Sequence, residues 1–480
     1  MLHAHPLAIT LLVASVALGG LTGCGPASAP PDAGADAPGC DSPSACALPA
    51  CARAAFCTGC GGDCGPCEAC DRGRCVAAPE ESPCPGGACH RGACCTGCWD
   101  GSACAAGDEE AACGQDGLAC EACDGFSRCE DGGCALPIER GLMAGGDVTC
   151  DLQDSGARCS GSNRLGQLGL GTAEPVTTPS LVSLELGAAA RADAGDGCTC
   201  FLARDGVLGC VGANNFGQLG TGDTSTRAVV RPVDGSVRFA RVAVGATHVC
   251  AISRSARLYC WGNNFYGQLG VGDTGPRRAP MLVGLEGVFR DVAVGGDHTC
   301  AIRDEGELLC FGNGNTGQLG DGGNAPRSIA VSVGEGYAQL SAAFGTTCAV
   351  RLDGGLDCWG GNLHGQLGVG DTMLRRVPTR VGEGYVRVAV GAGHTCAARA
   401  DGSVLCFGEN DDGELGRSAS ADALEPVEVE GLAGVVRVEA GGDHTCATSS
   451  DGSGLCWGAN RSGQLGSPSP ESRAAPAAFP

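Results

Sequence analysis

Residues 295–320 read Gly-Gly-Asp-His-Thr-Cys-Ala-Ile-Arg-Asp-Glu-Gly-Glu-Leu-Leu-Cys-Phe-Gly-Asn-Gly-Asn-Thr-Gly-Gln-Leu-Gly. The closing Gly-Gln-Leu-Gly returns at Gly166–Gly169, Gly217–Gly220, Gly267–Gly270, Gly365–Gly368 and Gly463–Gly466, and as Gly413-Glu414-Leu415-Gly416. The seven copies stand 48 to 51 residues apart. A fixed period of this length marks a propeller or a solenoid. Within one period, Val288–Val294 has the β-branched content of a strand, His298–Ile302 a second, Glu307–Phe311 a third and Ser328–Val333 a fourth. Asp304-Glu305-Gly306 fits a three-residue hairpin loop with Gly where φ must be positive. Asp205-Gly206, Asp353-Gly354, Asp401-Gly402 and Asp451-Gly452 repeat it. Four strands per unit without helical periodicity predict an all-β fold, a seven-bladed β-propeller over residues 135–480.

The cysteines give a second argument. Each unit carries one pair: Cys150 with Cys159, Cys200 with Cys210, Cys250 with Cys260, Cys300 with Cys310, Cys348 with Cys358, Cys396 with Cys406 and Cys446 with Cys456. Six pairs are ten residues apart and symmetric about the hairpin loop, which puts both cysteines directly opposite each other and within disulfide reach. The pair of Cys150 and Cys159 is one residue shorter. Cys198 is left over, two residues before Cys200, and is expected to be a reactive thiol or a partner of the Cys-rich region. The chain end is expected to close the ring, with Ala474–Phe479 adding an outer strand to the first repeat.

Upstream, Leu7–Leu18 is an apolar run too short to span a bilayer and suited to a signal peptide over residues 1–23. Leu21-Thr22-Gly23-Cys24 resembles the lipobox of bacterial lipoproteins, which implies lipidation of Cys24 and export to the membrane or cell surface. Residues 24–39 are a Pro/Ala/Gly tether. Residues 40–134 hold 20 cysteines and almost no large apolar side chains, so they must be stapled rather than folded by burial. Cys67–Asp71 recurs as Cys120–Asp124, which predicts two related knots over 40–80 and 84–134. Zinc is the alternative, because Cys57 and Cys60, and Cys67 and Cys70, have ligand spacing. Disulfides are favoured outside the cytosol, and the expectation is no metal and no cofactor.

Net charge is −23 and the basic residues are all Arg, which disfavours nucleic acid as a partner. Gly-x-x-His-Thr-Cys followed by Leu-x-Cys-[Trp/Phe]-Gly-x-Asn-x-x-Gly-Gln-Leu-Gly resembles the regulator-of-chromosome-condensation repeat. Residues 291–320 and 436–466 carry the resemblance best. It implies a seven-bladed propeller, and it reaches both an exchange factor for a small GTPase and exported bacterial binding proteins.

The recurrent residues have structural readings. His248, His298, His394 and His444 are expected to bond backbone at the blade links. Trp261, Trp359, Trp457, Phe311 and Phe407 are expected to pack, and Asn214, Asn263, Asn362, Asn410 and Asn460 to brace the Gly-Gln-Leu-Gly turn. Arg277, Arg278, Arg375 and Arg376, on the variable loops, are the candidate partner contacts. No nucleophile–base set is present. The reading is a monomeric, non-enzymatic, surface-anchored propeller that binds a protein or glycan. A hydrolase or lyase using the axial pocket, through Asp193, Asp196, Asp297, Asp443 and the four His, is the alternative. An exchange-factor-like regulator is implied by the resemblance alone.

Overall fold

The computed structural model describes residues 133–480 except 419–420, residues 123–124 and 126–130, and short strands between Glu68 and Cys113. The signal peptide, Cys24, the tether, the zinc-spaced Cys57, Cys60 and Cys67, and most of the two proposed knots lie outside the described residues.

Seven four-stranded antiparallel sheets follow one another, each taking its strands a, b, c and d in chain order. In blade 4 these are Phe289–Val294, His298–Arg303, Leu308–Gly312 and Arg327–Gly334. The a strands surround the axis, and the d strands form the rim. Two faces result. The a–b links and the c–d loops share the loop face, as Asn313 N donates to Asp297 O. The b–c hairpins and d–a connections share the hairpin face, as Tyr337 N donates to Gly306 O.

The repeated sequence dictates local geometry. Gly317 and Gly320 have φ of +83° and +70°, where only Gly sits without strain, and a Cβ on Gly317 would lie 2.8 Å from Arg375 O on the next blade. The seven cysteine pairs are each bonded within their own hairpin. Cys150 bonds Cys159 and Cys200 bonds Cys210 in blades 1 and 2. Cys250 bonds Cys260, Cys300 bonds Cys310 and Cys348 bonds Cys358 in blades 3 to 5. Cys396 bonds Cys406 and Cys446 bonds Cys456 in blades 6 and 7. Every pair has its Cα atoms 4.1 Å apart. Cys150 and Cys159 keep their opposition because Gln153 pairs with Gly156 around a two-residue loop, a tighter turn than in the other hairpins.

Hydrophobic layers lie between blades. The largest mix residues of neighbouring units, such as Cys250, Ile252 and Leu269 of blade 3 with Phe289, Val294 and Phe311 of blade 4. The joint between blades 7 and 1 has the smallest layer: Leu142, Ala144, Cys446, Cys456 and Leu465, with Phe479 against them. Polar bonds reinforce it. Leu142 N donates to Thr448 Oγ1 at 3.0 Å, and Thr149 Oγ1 meets His444 Nε2 at 2.8 Å. Glu139, just before blade 1, pairs with Arg191 of blade 2 and Arg437 of blade 7.

The closure expected from the sequence is therefore corrected. Arg473–Ala478 pairs with Gly454–Gly458, its own c strand, and completes blade 7 rather than blade 1. Each repeat already supplies four strands, so no sheet is shared and the ring closes face to face.

The end of the Cys-rich region docks on the hairpin face. Cys123 and Cys134 are bonded. Asp124 and Ser127 take Arg254 of the blade 3 hairpin. Phe126 packs beside the layers of blades 2–4, and the buried Leu136 donates its N–H to Arg204 O of the blade 2 hairpin at 2.8 Å.

Candidate functional site

The recurrent polar positions of the repeat are spent on holding blades together. Thr347 Oγ1 of blade 5 donates to Gln318 O of blade 4 at 2.9 Å, and its lone pairs face His298 Nε2 at 2.8 Å. That arrangement puts the ring proton on Nε2. His248 with Thr299 and Gln268, and His394 with Thr445 and Glu414, repeat it. The histidines thus bond a hydroxyl on the next blade, where the sequence suggested backbone at the link; of the four, only His298 also has a link backbone partner, Phe344. Blade 1 has Val148 instead, and the facing Thr199 Oγ1 is buried without a partner. Burial pushes His248 and His444 down to about 3 and His298 and His394 to about 4, so all four are neutral at pH 7. A Cβ on Gly295 would meet the His298 ring at 2.3 Å, which explains Gly at that link.

The aromatic and amide positions serve the same purpose. Trp261, Trp359 and Trp457 are fully buried and donate Nε1–H to Gln218 O, Gln318 O and Glu414 O of the preceding blade, with Phe311 and Phe407 buried at the same place. Asn214, Asn362, Asn410 and Asn460 accept from the Leu N–H of the following turn and donate to carbonyls of the loop beyond it. In blade 3 that position belongs to Asn264, not Asn263, and in blade 1 to Asn163. The run Asn263-Asn264 hid the first, while Gly161-Ser162-Asn163 fits the Gly-x-Asn motif and could have been found from it.

Cys198 stands in a histidine position and is free, but fully buried. Burial first, then Asp193 and Asp196, push its thiol up to about 12. A thiol without thiolate is inert, so the expected reactive or bridged Cys198 is corrected.

The four loop arginines separate into two kinds. Arg277 pairs with Asp273 and Arg375 with Asp371, four residues back, and each also donates to a loop carbonyl. Arg227 with Asp223 does the same pairing in blade 2. Arg278 and Arg376 are exposed, on outer strands of blades 3 and 5, with Ser328 at the matching place in blade 4. The four do not form one patch.

Exposed apolar side chains lie on the outer strands, as Ile329 and Val377, on the hairpin face, as Leu352, and at the loop tips. Leu165, Phe265, Tyr266, Leu363 and Met373 are exposed on the loop face, Leu363 at 84%. Phe216 of blade 2 meets Phe265 of blade 3 edge-on at 5.7 Å. Acidic groups share this face. Burial and then the neighbouring Asp147 raise Asp196 and Asp443, and burial raises Asp297. Among the described residues no three His, Cys, Asp or Glu side chains come together as a metal site.

An axial cavity of about 650 Å³ runs between the a strands. Arg191, Arg241, Asp291, Gln339, Arg387 and Arg437 occupy the same strand position in blades 2 to 7. Two residues on stand Asp193, Ala243, Ala293, Ser341, Ala389 and Glu439. Several reach the next blade's backbone: Asp193 Oδ2 accepts from Val244 N, Asp291 Oδ2 from Leu340 N, and Ser341 Oγ from Val390 N. Burial raises Asp193 to about 7. The sequence reading missed this ring, although Arg-x-Asp, Arg-x-Ala and Arg-x-Glu recur a fixed distance before the link glycine.

The model of the RCC1-like domain matches residues 156–480. Among solved structures, Prp20p of Saccharomyces cerevisiae superposes with a TM-score of 0.62 at 20% identity over 72% of this chain and 87% of that one. Human WBSCR16 gives 0.60 at 24% identity over 67% and 94%. No curated protein matches the sequence. The repeat motif, the seven consecutive blades and the family model agree: the chain belongs to the family of RCC1-like domain propellers.

Proposed function

We propose that the protein is a non-enzymatic, surface-anchored binding propeller that uses its loop face to recognise a protein or a glycan outside the cytosol. One observation carries this reading. The recurrent His, Thr, Gln, Asn and Trp groups hold blades and turns together, while the variable loop tips present aromatic and aliphatic side chains to solvent. Rigid frames with variable loops are where recognition is usually placed. The seven disulfides suit an oxidising compartment.

The end of the Cys-rich region joins the hairpin face through Asp124, Ser127 and Leu136. Prp20p, for which binding to Gsp1p and histones is described, is a relative that binds protein. Exposed Arg278 and Arg376 are further candidate contacts at the rim.

Capture of surface and secreted material by the full-length protein tests this. Replacing Phe265, Tyr266 and Leu363 with Ser should abolish capture, and charge reversal at Arg278 and Arg376 should weaken capture of an acidic partner. Substitutions at the exposed hairpin residues Asp401 and Asp451 should leave it intact. The opposite pattern, or turnover of a glycan or ester that disappears in His298→Ala and His444→Ala, would overturn the reading.

A further inference from the structure

We propose that the axial cavity is a binding site for a small oxyanion, a carboxylate- or phosphate-bearing molecule, clamped between Arg241 and Arg387. This goes beyond the loop-face reading and does not depend on it.

The charges around the axis do not balance group by group. Four arginines occupy the same ring: Arg191, Arg241, Arg387 and Arg437. Glu139 pairs with Arg191 and Arg437, and Glu439 takes Arg437 Nε at 2.5 Å. That satisfies one side of the ring. On the other side Asp291 is the ring carboxylate beside Arg241 and Arg387, with Glu139 acting on both electrostatically, and Asp291 already accepts from Leu340 N. Arg241 reaches it only at 3.9 Å, through a single nitrogen, and Arg241 Nε is buried without a partner. Arg387 makes no hydrogen bond or ion pair among the described residues and lines the cavity.

Arg387 is exposed to the cavity and Arg241 half-buried, and guanidinium groups keep their protons in either setting. Two of them with unused donors facing one cavity are a fork for an oxyanion, which accepts two parallel N–H bonds from each. Blades 3 and 6 are three steps apart in a ring of seven, so the two side chains approach the axis from nearly opposite sides. The neighbouring wall is small and uncharged at Met143, Ala243, Ala293 and Ala389. About 650 Å³ is the size of a small-molecule site. The fit is therefore an anionic head with a compact body, in a chain whose overall charge would otherwise repel anions.

One titratable group modulates the site. Asp193 faces the cavity with backbone bonds from Val244 and Ala194, the Glu439 carboxylate and Arg437 guanidinium across from it, and the Cys198 thiol behind it. Its protonation below about pH 7 removes a negative charge from the wall and favours anion entry.

Calorimetric titration of the full-length protein with sulfate and with succinate, at ionic strength fixed by chloride, tests the assignment. One saturable site is expected, and the stronger probe identifies a phosphate-like or a carboxylate head. Arg387→Gln and Arg241→Gln should each weaken binding at least tenfold with the fold retained by circular dichroism. Asp291→Asn should tighten it severalfold, an outcome that a merely structural ring would not give. Sulfate, whose charge is constant from pH 8 to 6, should bind more tightly at pH 6, and Asp193→Asn should remove that dependence. No saturable binding of either probe, or binding that survives the Arg241→Gln/Arg387→Gln double variant, would overturn it.

Discussion

Glu414 is the one departure from Gly-Gln-Leu-Gly, and its chemistry makes a sharp prediction. Its side chain is 2% exposed, and Oε2 accepts from Asp412 N at 3.0 Å, as Gln318 Oε1 accepts from Thr316 N in blade 4. Burial raises this carboxyl from 4.5 to about 7, with Asp412 and Glu409 adding repulsion. The sign follows from the direction. The folded state holds the proton more tightly than the unfolded state, so stability falls as pH rises from the unfolded value through about 7. At 1.36 kcal/mol per pKa unit the full cost above pH 7 is roughly 3 kcal/mol, and at pH 5 less than about 1 kcal/mol. Glu414→Gln keeps the Asp412 bond and removes the ionisable group. It should stabilise the propeller by about 1–3 kcal/mol at pH 8, which for a domain of this size is a rise of roughly 2–4 °C in melting temperature. At pH 5 the gain should nearly vanish. Scanning calorimetry of both proteins at the two pH values measures this. A gain of equal size at both, or a loss at pH 8, would refute the reasoning.

Three further outcomes follow from the same structure. Glu139→Ala leaves Arg191 and Arg437 facing each other at the joint with the smallest apolar layer; because the groups are partly solvated, the loss should be about 1–3 kcal/mol in denaturant unfolding. Replacing Cys300 and Cys310 together by Ala opens a ten-residue loop in the unfolded chain and should cost roughly 2–3 kcal/mol, while non-reducing peptide mapping of the parent should recover the Cys300–Cys310 peptide. Cys198, buried and with its thiol pushed up to about 12, should resist alkylation at pH 8 until denaturant is added; rapid labelling of the native protein would contradict its placement.

The sequence made the blades legible because a 48–51 residue period repeats every strand, turn and cysteine seven times. Hairpin opposition was readable for the same reason, since residue pairs summing to a constant must face each other. The inter-blade bonds were not readable. His298 and Thr347 lie 49 residues apart, and only the closure of the ring brings a histidine onto the next blade's threonine. Terminal closure was misjudged because a missing strand was counted before blade 1, where Gly141–Gly145 already begins a complete sheet. The axial arginines were visible as a recurrence yet went unread. Alternation says which side of a strand a residue takes, but not that seven such sides converge on one cavity.

Hydrogen exchange of the full-length protein, alone and with its captured partner, tests the central claim most directly. The account predicts protection at the c–d loops around Phe216, Phe265 and Leu363, with the hairpins at Asp401-Gly402 and Asp451-Gly452 unchanged. Protection confined to the hairpin face would contradict it.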